Sequence, residues 1–195
     1  EMNNNLNDEQ LTHYIHEIIM HCFGAEKSFH ELNKLINLQE YKQSRYVWFA
    51  LNSFLSHSAM VSKYLYPTNK LNSTRGIKLR EILELVESSE LISREARNNI
   101  EHFDERIDNW VSLDTNNILE IVLENRKAFE FIKGRKKRVK RLLLKEELIF
   151  ISENKDSSQL ELELNPIHKE LLKINKKAIE WLKKFSPYNF IYPKK

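Results

Sequence analysis

The sequence predicts a mainly α-helical protein: a helical bundle with a small antiparallel β-hairpin set before a C-terminal helix. Three observations carry that prediction. Apolar residues recur every three or four positions through most of the first 113 residues, the period of helices with one buried face. Glycine and proline are scarce, 3 and 4 in 195 residues, whereas strands joined by tight turns consume more of both. One late stretch, residues 160–164, alternates Leu with Glu at the strand period of two.

The elements follow in order. Asn7 or Asp8 is suited to cap a first helix, because a short side-chain oxygen there accepts from the free amides of the opening turn. Leu11, Tyr14, Ile15, Ile18 and Ile19 begin its apolar stripe, and Phe29, Leu32, Leu35 and Ile36 continue it past Gly24, where a kink or break is expected. Residues 41–66 read as a second long helix, ended by Pro67-Thr68-Asn69; its aromatics Tyr46, Trp48, Phe49 and Phe54 are expected in the core or at a dimer interface. Residues 71–76 read as a loop, and 77–87 as a shorter helix with Leu79, Ile82, Leu83 and Leu85 inward. Ser89 or Ser93 caps a helix to about Val111, with Ile92, Ala96, Ile100, Phe103, Ile107 and Trp110 on its buried stripe. After Asp114 the signal weakens: residues 118–123 and 128–132 suit either helix or strand. Residues 141–151 and 160–164 read as strands, and the polar 154–158 between them as the hairpin turn. Asn165-Pro166 opens a final helix to about Phe185, since proline in a first turn forfeits no helical hydrogen bond.

Length allows one domain with a real core. Its parts are a helical bundle at about 7–113, a basic segment with the hairpin at about 133–164, and the last helix at about 166–185. Glu1, ahead of Met2, reads as an added residue. A composition of 41% hydrophobic and 30% charged residues is that of a globular protein, not a disordered one. A net charge of +3 announces no partner by itself. Cys22 is the single cysteine, which excludes an internal disulfide and a cysteine-rich zinc site. No apolar run approaches the length of a membrane span or leader, so the expectation is a cytoplasmic protein without membrane contact.

The segment Arg97-Asn98-Asn99-Ile100-Glu101-His102 is the one chemically suggestive motif. With Ala96, Ile100 and Phe103 facing the core, Asn98 and His102 stack four residues apart on the polar side. Arg97 lies about 140° around the helix from His102, so the two meet across the surface or between chains. An arginine, a polar residue, three more and a histidine, late in a helical bundle, resembles the Arg-X4–6-His motif of the HEPN superfamily, over roughly residues 7–110. That resemblance implies an α-helical bundle, commonly dimeric, whose active members are metal-independent ribonucleases of toxin, phage-defence and RNA-processing systems. By the same resemblance Arg97 holds or polarises the scissile phosphate, His102 acts as acid or base in attack by the ribose 2′-hydroxyl, and Asn98 orients either of them. The chemistry suits the residue types: imidazole titrates near neutral pH, and a guanidinium forks onto phosphate oxygens. Glu101 and Asp104 add negative charge beside the histidine, which favours its protonated form and repels phosphates. A homodimer, an RNA substrate and an antitoxin or other protein partner are the implied company.

Lys133-Gly134-Arg135-Lys136-Lys137-Arg138-Val139-Lys140-Arg141 is the densest charge run. It suits tracking of a phosphate backbone, and equally a solvated loop; no aromatic within it stacks on bases. His13, His16 and His21 with Glu17 share a helix, yet no metal-binding constellation emerges, and neither metal nor cofactor is expected. Three functions remain in play: a HEPN-like endoribonuclease, a non-catalytic helical interaction or dimerisation module, and a general nucleic-acid binder working through residues 133–141.

Overall fold

The computed structural model describes residues 6–38, 45–69, 72–85, 91, 103–112, 118–133, 138–154 and 158–186. It is mainly helical, with a four-stranded sheet ahead of the C-terminal helix. The helices are α1 (Asp8–Ile36), α2 (Arg45–Leu65), α3 (Ser73–Ile82), α4 (Phe103–Ser112), α5 (Arg126–Lys133) and α6 (Leu164–Phe185). The strands are β1 (Ile118–Leu123), β2 (Arg138–Leu144), β3 (Ile149–Glu153) and β4 (Gln159–Glu163).

Asn7 caps α1 in a reciprocal box: its side chain accepts from the Gln10 amide at 2.9 Å, and its own amide donates to Gln10 Oε1 at 3.1 Å. The helix then runs unbroken through Gly24, against the expected interruption. Gly24 serves packing instead. A Cβ there would stand 2.5 Å from the His57 ring, so the missing side chain lets α2 approach. Pairs such as Tyr14–Tyr64, Ser28–Ser53 and Phe29–Phe54 show α1 and α2 running antiparallel. α6 lies along α1 as well, with His168 stacked on Phe29 at 4.0 Å between ring centres.

The expected loop at 71–76 is helical from Ser73 onward, because Gly76 packs against Pro67 and the Leu65 carbonyl and marks a close approach, not a turn. α3 stops at Ile82, short of the expected Glu87. Glu84 takes a left-handed φ of 48°, and the Leu85 amide reaches back to the Arg80 carbonyl at 2.9 Å. A left-handed glutamate is strained. Lys177 of α6 holds it, its Nζ donating to both the carbonyl and a carboxylate oxygen of Glu84 at 3.0 Å. On α4 Ile107, expected on the buried stripe, is 37% exposed; it sits about 40° from Phe103, at the stripe's margin.

The late region holds more than a hairpin. β1 pairs in parallel with β2, β2 with β3 and β3 with β4 antiparallel, in the order β1-β2-β3-β4. A parallel pair needs a crossover, and α5 supplies it. The expected single strand over 141–151 divides at residues 145–148 into a hairpin. At the two ends of the expected turn Asn154 N–H donates to the Ser158 carbonyl at 2.8 Å, residues 155–157 lying outside the described ones. Alternate residues serve alternate faces. Val122, Leu143, Phe150, Leu160 and Leu162 join the main core with α1, α2, α3 and α6. Leu142, Leu144 and Ile151 meet Phe129 of α5 in a second, smaller core. The sheet is therefore a middle layer between the long helices and α5.

Candidate functional site

Arg97, Asn98 and His102 lie outside the described residues, together with Glu101 and most of the predicted helix that carries them. Both flanks are described. Leu91 is buried, and its carbonyl accepts a 2.6 Å hydrogen bond from the Ser62 hydroxyl of α2. Immediately after His102 the chain is helical as α4, whose Asp104, Glu105 and Asp108 are exposed. In sequence the segment thus lies between the buried Leu91 and a helix whose described side chains are exposed and include three acids.

The basic run divides in the same way. Arg135, Lys136 and Lys137 lie outside the described residues, as do the side chains of Lys133, which ends α5, and Arg138, which opens β2. Lys140 and Arg141 are described, and both meet Glu120 of β1: Lys140 Nζ at 2.7 Å, Arg141 at 3.1 Å. The Arg141 guanidinium also lies over the Trp48 ring, 5.5 Å from its centre, and ties the sheet to α2. Burial alone would push the Glu120 carboxyl up; hydrogen bonds and charge from Lys140 and Arg141 outweigh it and hold the group below its ordinary value. Glu120 thus offsets part of the positive charge of these two residues within the protein.

A polar cluster that the sequence left unassembled lies along the α1/α2 groove. His21 of α1 and His57 of α2 bring their Nδ1 atoms to 2.9 Å, with ring centres 5.2 Å apart. Tyr64 follows along the groove, 6.3 Å from His21 and 6.2 Å from Tyr14. Arg75 of α3 spreads over both tyrosine rings, at 5.3 Å and 5.8 Å. Glu17, one turn before His21, faces the same groove, where its charge opposes ionisation of Tyr64. Burial lowers the proton affinity of both imidazoles; the charge of His57 adds to this at His21, while Glu17 opposes it. Sequence spacing groups His21 with His13 and Glu17, but the partner that matters comes from another helix. The one signal in the sequence is Gly24, a glycine inside a strong helical pattern, which marks where something packs close.

Cys22 is buried in the main core, and burial followed by the charge of Glu26 pushes its thiol up to about 12, which excludes it as a nucleophile. Among the described residues no three His, Cys, Asp or Glu side chains gather as a metal shell, and no helix is long and apolar enough to cross a membrane. Compared with protein-family models, curated proteins and solved structures, the chain matches none.

Proposed function

We propose that the chain is a HEPN-like, metal-independent endoribonuclease of a toxin or defence system, acting in the cytoplasm as a homodimer. The observation that carries this reading is the Arg97-Asn98-Asn99-Ile100-Glu101-His102 motif, set between the Leu91 anchor on α2 and the helical start of α4. The chain's mainly helical fold is compatible with such a motif. In the proposed reaction His102 takes the proton of a ribose 2′-hydroxyl, whose oxygen attacks the adjacent phosphorus. Arg97 carries the charge that builds on the phosphate oxygens, and Asn98 fixes the geometry. The 5′-oxygen leaves with a proton from the partner copy's histidine or from water, giving a 2′,3′-cyclic phosphate and a 5′-hydroxyl end.

The test is cleavage of labelled total RNA and tRNA in EDTA by wild type, Arg97→Ala and His102→Ala. Cutting by the wild type that drops at least about a hundredfold in each variant is the expected result. Wild-type cutting that His102→Ala retains overturns the assignment.

A second reading, a non-catalytic dimerisation module, has its own observation. Tyr46 and Phe49, three apart on α2, are 72% and 73% exposed, so the core does not account for them. Under this reading Tyr46→Ser with Phe49→Ser disrupts self-association and no RNA is cut by any form. The basic run as a general nucleic-acid binder is the weakest of the three, since Glu120 already engages both Lys140 and Arg141 at its end and offsets part of their charge.

A further inference from the structure

His21 and His57 pose a local problem of hydrogen bonding. Nδ1 atoms 2.9 Å apart are compatible only if one imidazole carries its proton on Nδ1, or if something positive sits against both lone pairs. The contact is built into the fold: the two rings come from facing helices, and Gly24 removes the one Cβ that would block His57. Imidazole nitrogens bind divalent transition metals at about 2.0–2.1 Å, and two such bonds at right angles place the nitrogens about 2.9 Å apart. Right-angled nitrogen ligands are the geometry of tetragonal copper and nickel.

We propose that His21 and His57 form a two-imidazole site for a tetragonal late transition-metal dication, Cu2+ or Ni2+, with water in the remaining positions. Glu17 faces the site from α1 and contributes negative charge without being a ligand, consistent with the lack of any third converging side chain among the described residues. Arg75 spreads its charge over the Tyr14 and Tyr64 rings. The site shares no residue with the Arg97–His102 motif, and the proposal is independent of the ribonuclease reading. Its place across the α1–α2 contact means that an occupied site clamps the two long helices of the main core.

The experiment uses the full chain without any histidine tag. Cu2+ is titrated in with electron paramagnetic resonance as the readout, and Ni2+ with the thermal midpoint, for wild type, His21→Gln, His57→Gln and His13→Ala. The expected result is one copper per chain with an axial spectrum carrying nitrogen hyperfine structure, at a micromolar dissociation constant. Each Gln variant weakens that at least about tenfold, while His13→Ala leaves it unchanged. Ni2+ raises the midpoint of the wild type and of His13→Ala only. A wild type without a one-to-one nitrogen-ligated spectrum overturns the proposal, as does retention of that spectrum by His21→Gln. Should His57→Gln fail to fold, the wild-type spectrum and His21→Gln still decide the matter.

Discussion

Gly24 is the residue whose role inverts between sequence and structure. In an exposed helix, Gly→Ala stabilises by about 1 kcal/mol. Here the added methyl meets the His57 ring, so Gly24→Ala is expected to destabilise by about 1–3 kcal/mol. In a His57→Ala background the obstacle is gone, and the same substitution becomes stabilising; urea titrations of the four proteins measure the reversal. Loss of stability in neither background would mean His57 swings aside without cost. His168 gives a pH prediction. Stacked on Phe29, it is held below its ordinary proton affinity by burial, then by the charge of His30, with Glu26 opposing. A histidine that resists protonation when folded contributes stability that is complete above the unfolded value near 6.5 and is lost as pH falls through that value toward the folded one. The thermal midpoint should therefore fall between pH 7.5 and 5, and fall less steeply in His168→Phe, which keeps the stack and removes the titration. Equal slopes in the two proteins contradict this.

At the scale of elements, the long helices were legible because their stripes have a strict period. Asn7 capping α1, the stop at Pro67 and the apolar sets of α1 and α2 all follow from local chemistry. The sheet was legible only in part. β4 is exposed on one face, so its Leu–Glu alternation is clean, whereas the ends of β1 and β2, residues 121–123 and 142–144, feed both cores with consecutive apolar residues and lose the period-two signal. An eight-residue α5 sits below the length at which a periodic pattern becomes distinctive, and nothing in its sequence says that it bridges two parallel strands. Its attachment has a testable anchor. Among the described residues Phe129 is the only α5 side chain in the second core, and Arg126 of the same helix pairs with Glu161 on β4 at 2.6 Å. Phe129→Ala should cost about 3–5 kcal/mol, far more than Arg126→Ala, whose exposed pair is worth at most about 1 kcal/mol. A small loss at Phe129 would show that α5 does not cover the sheet in solution.

For the whole molecule, the long helices and the sheet share one main core, so the late βαββ unit is part of the same body as α1, α2, α3 and α6. What the sequence could not give was any contact between distant elements. The Glu120 clamp on Lys140 and Arg141, the His21–His57 pair and the Lys177 brace on Glu84 each join residues many positions apart, and side-chain periodicity carries no information about such meetings. The motif runs the other way: its meaning lies in residue type and spacing. The most direct measurement is the chemistry of the ends made when purified protein meets RNA in EDTA. The account predicts 2′,3′-cyclic phosphate and 5′-hydroxyl ends from the wild type, and no ends from His102→Ala folded to the same thermal midpoint. RNA left intact by the wild type, or the same ends from His102→Ala, would contradict it.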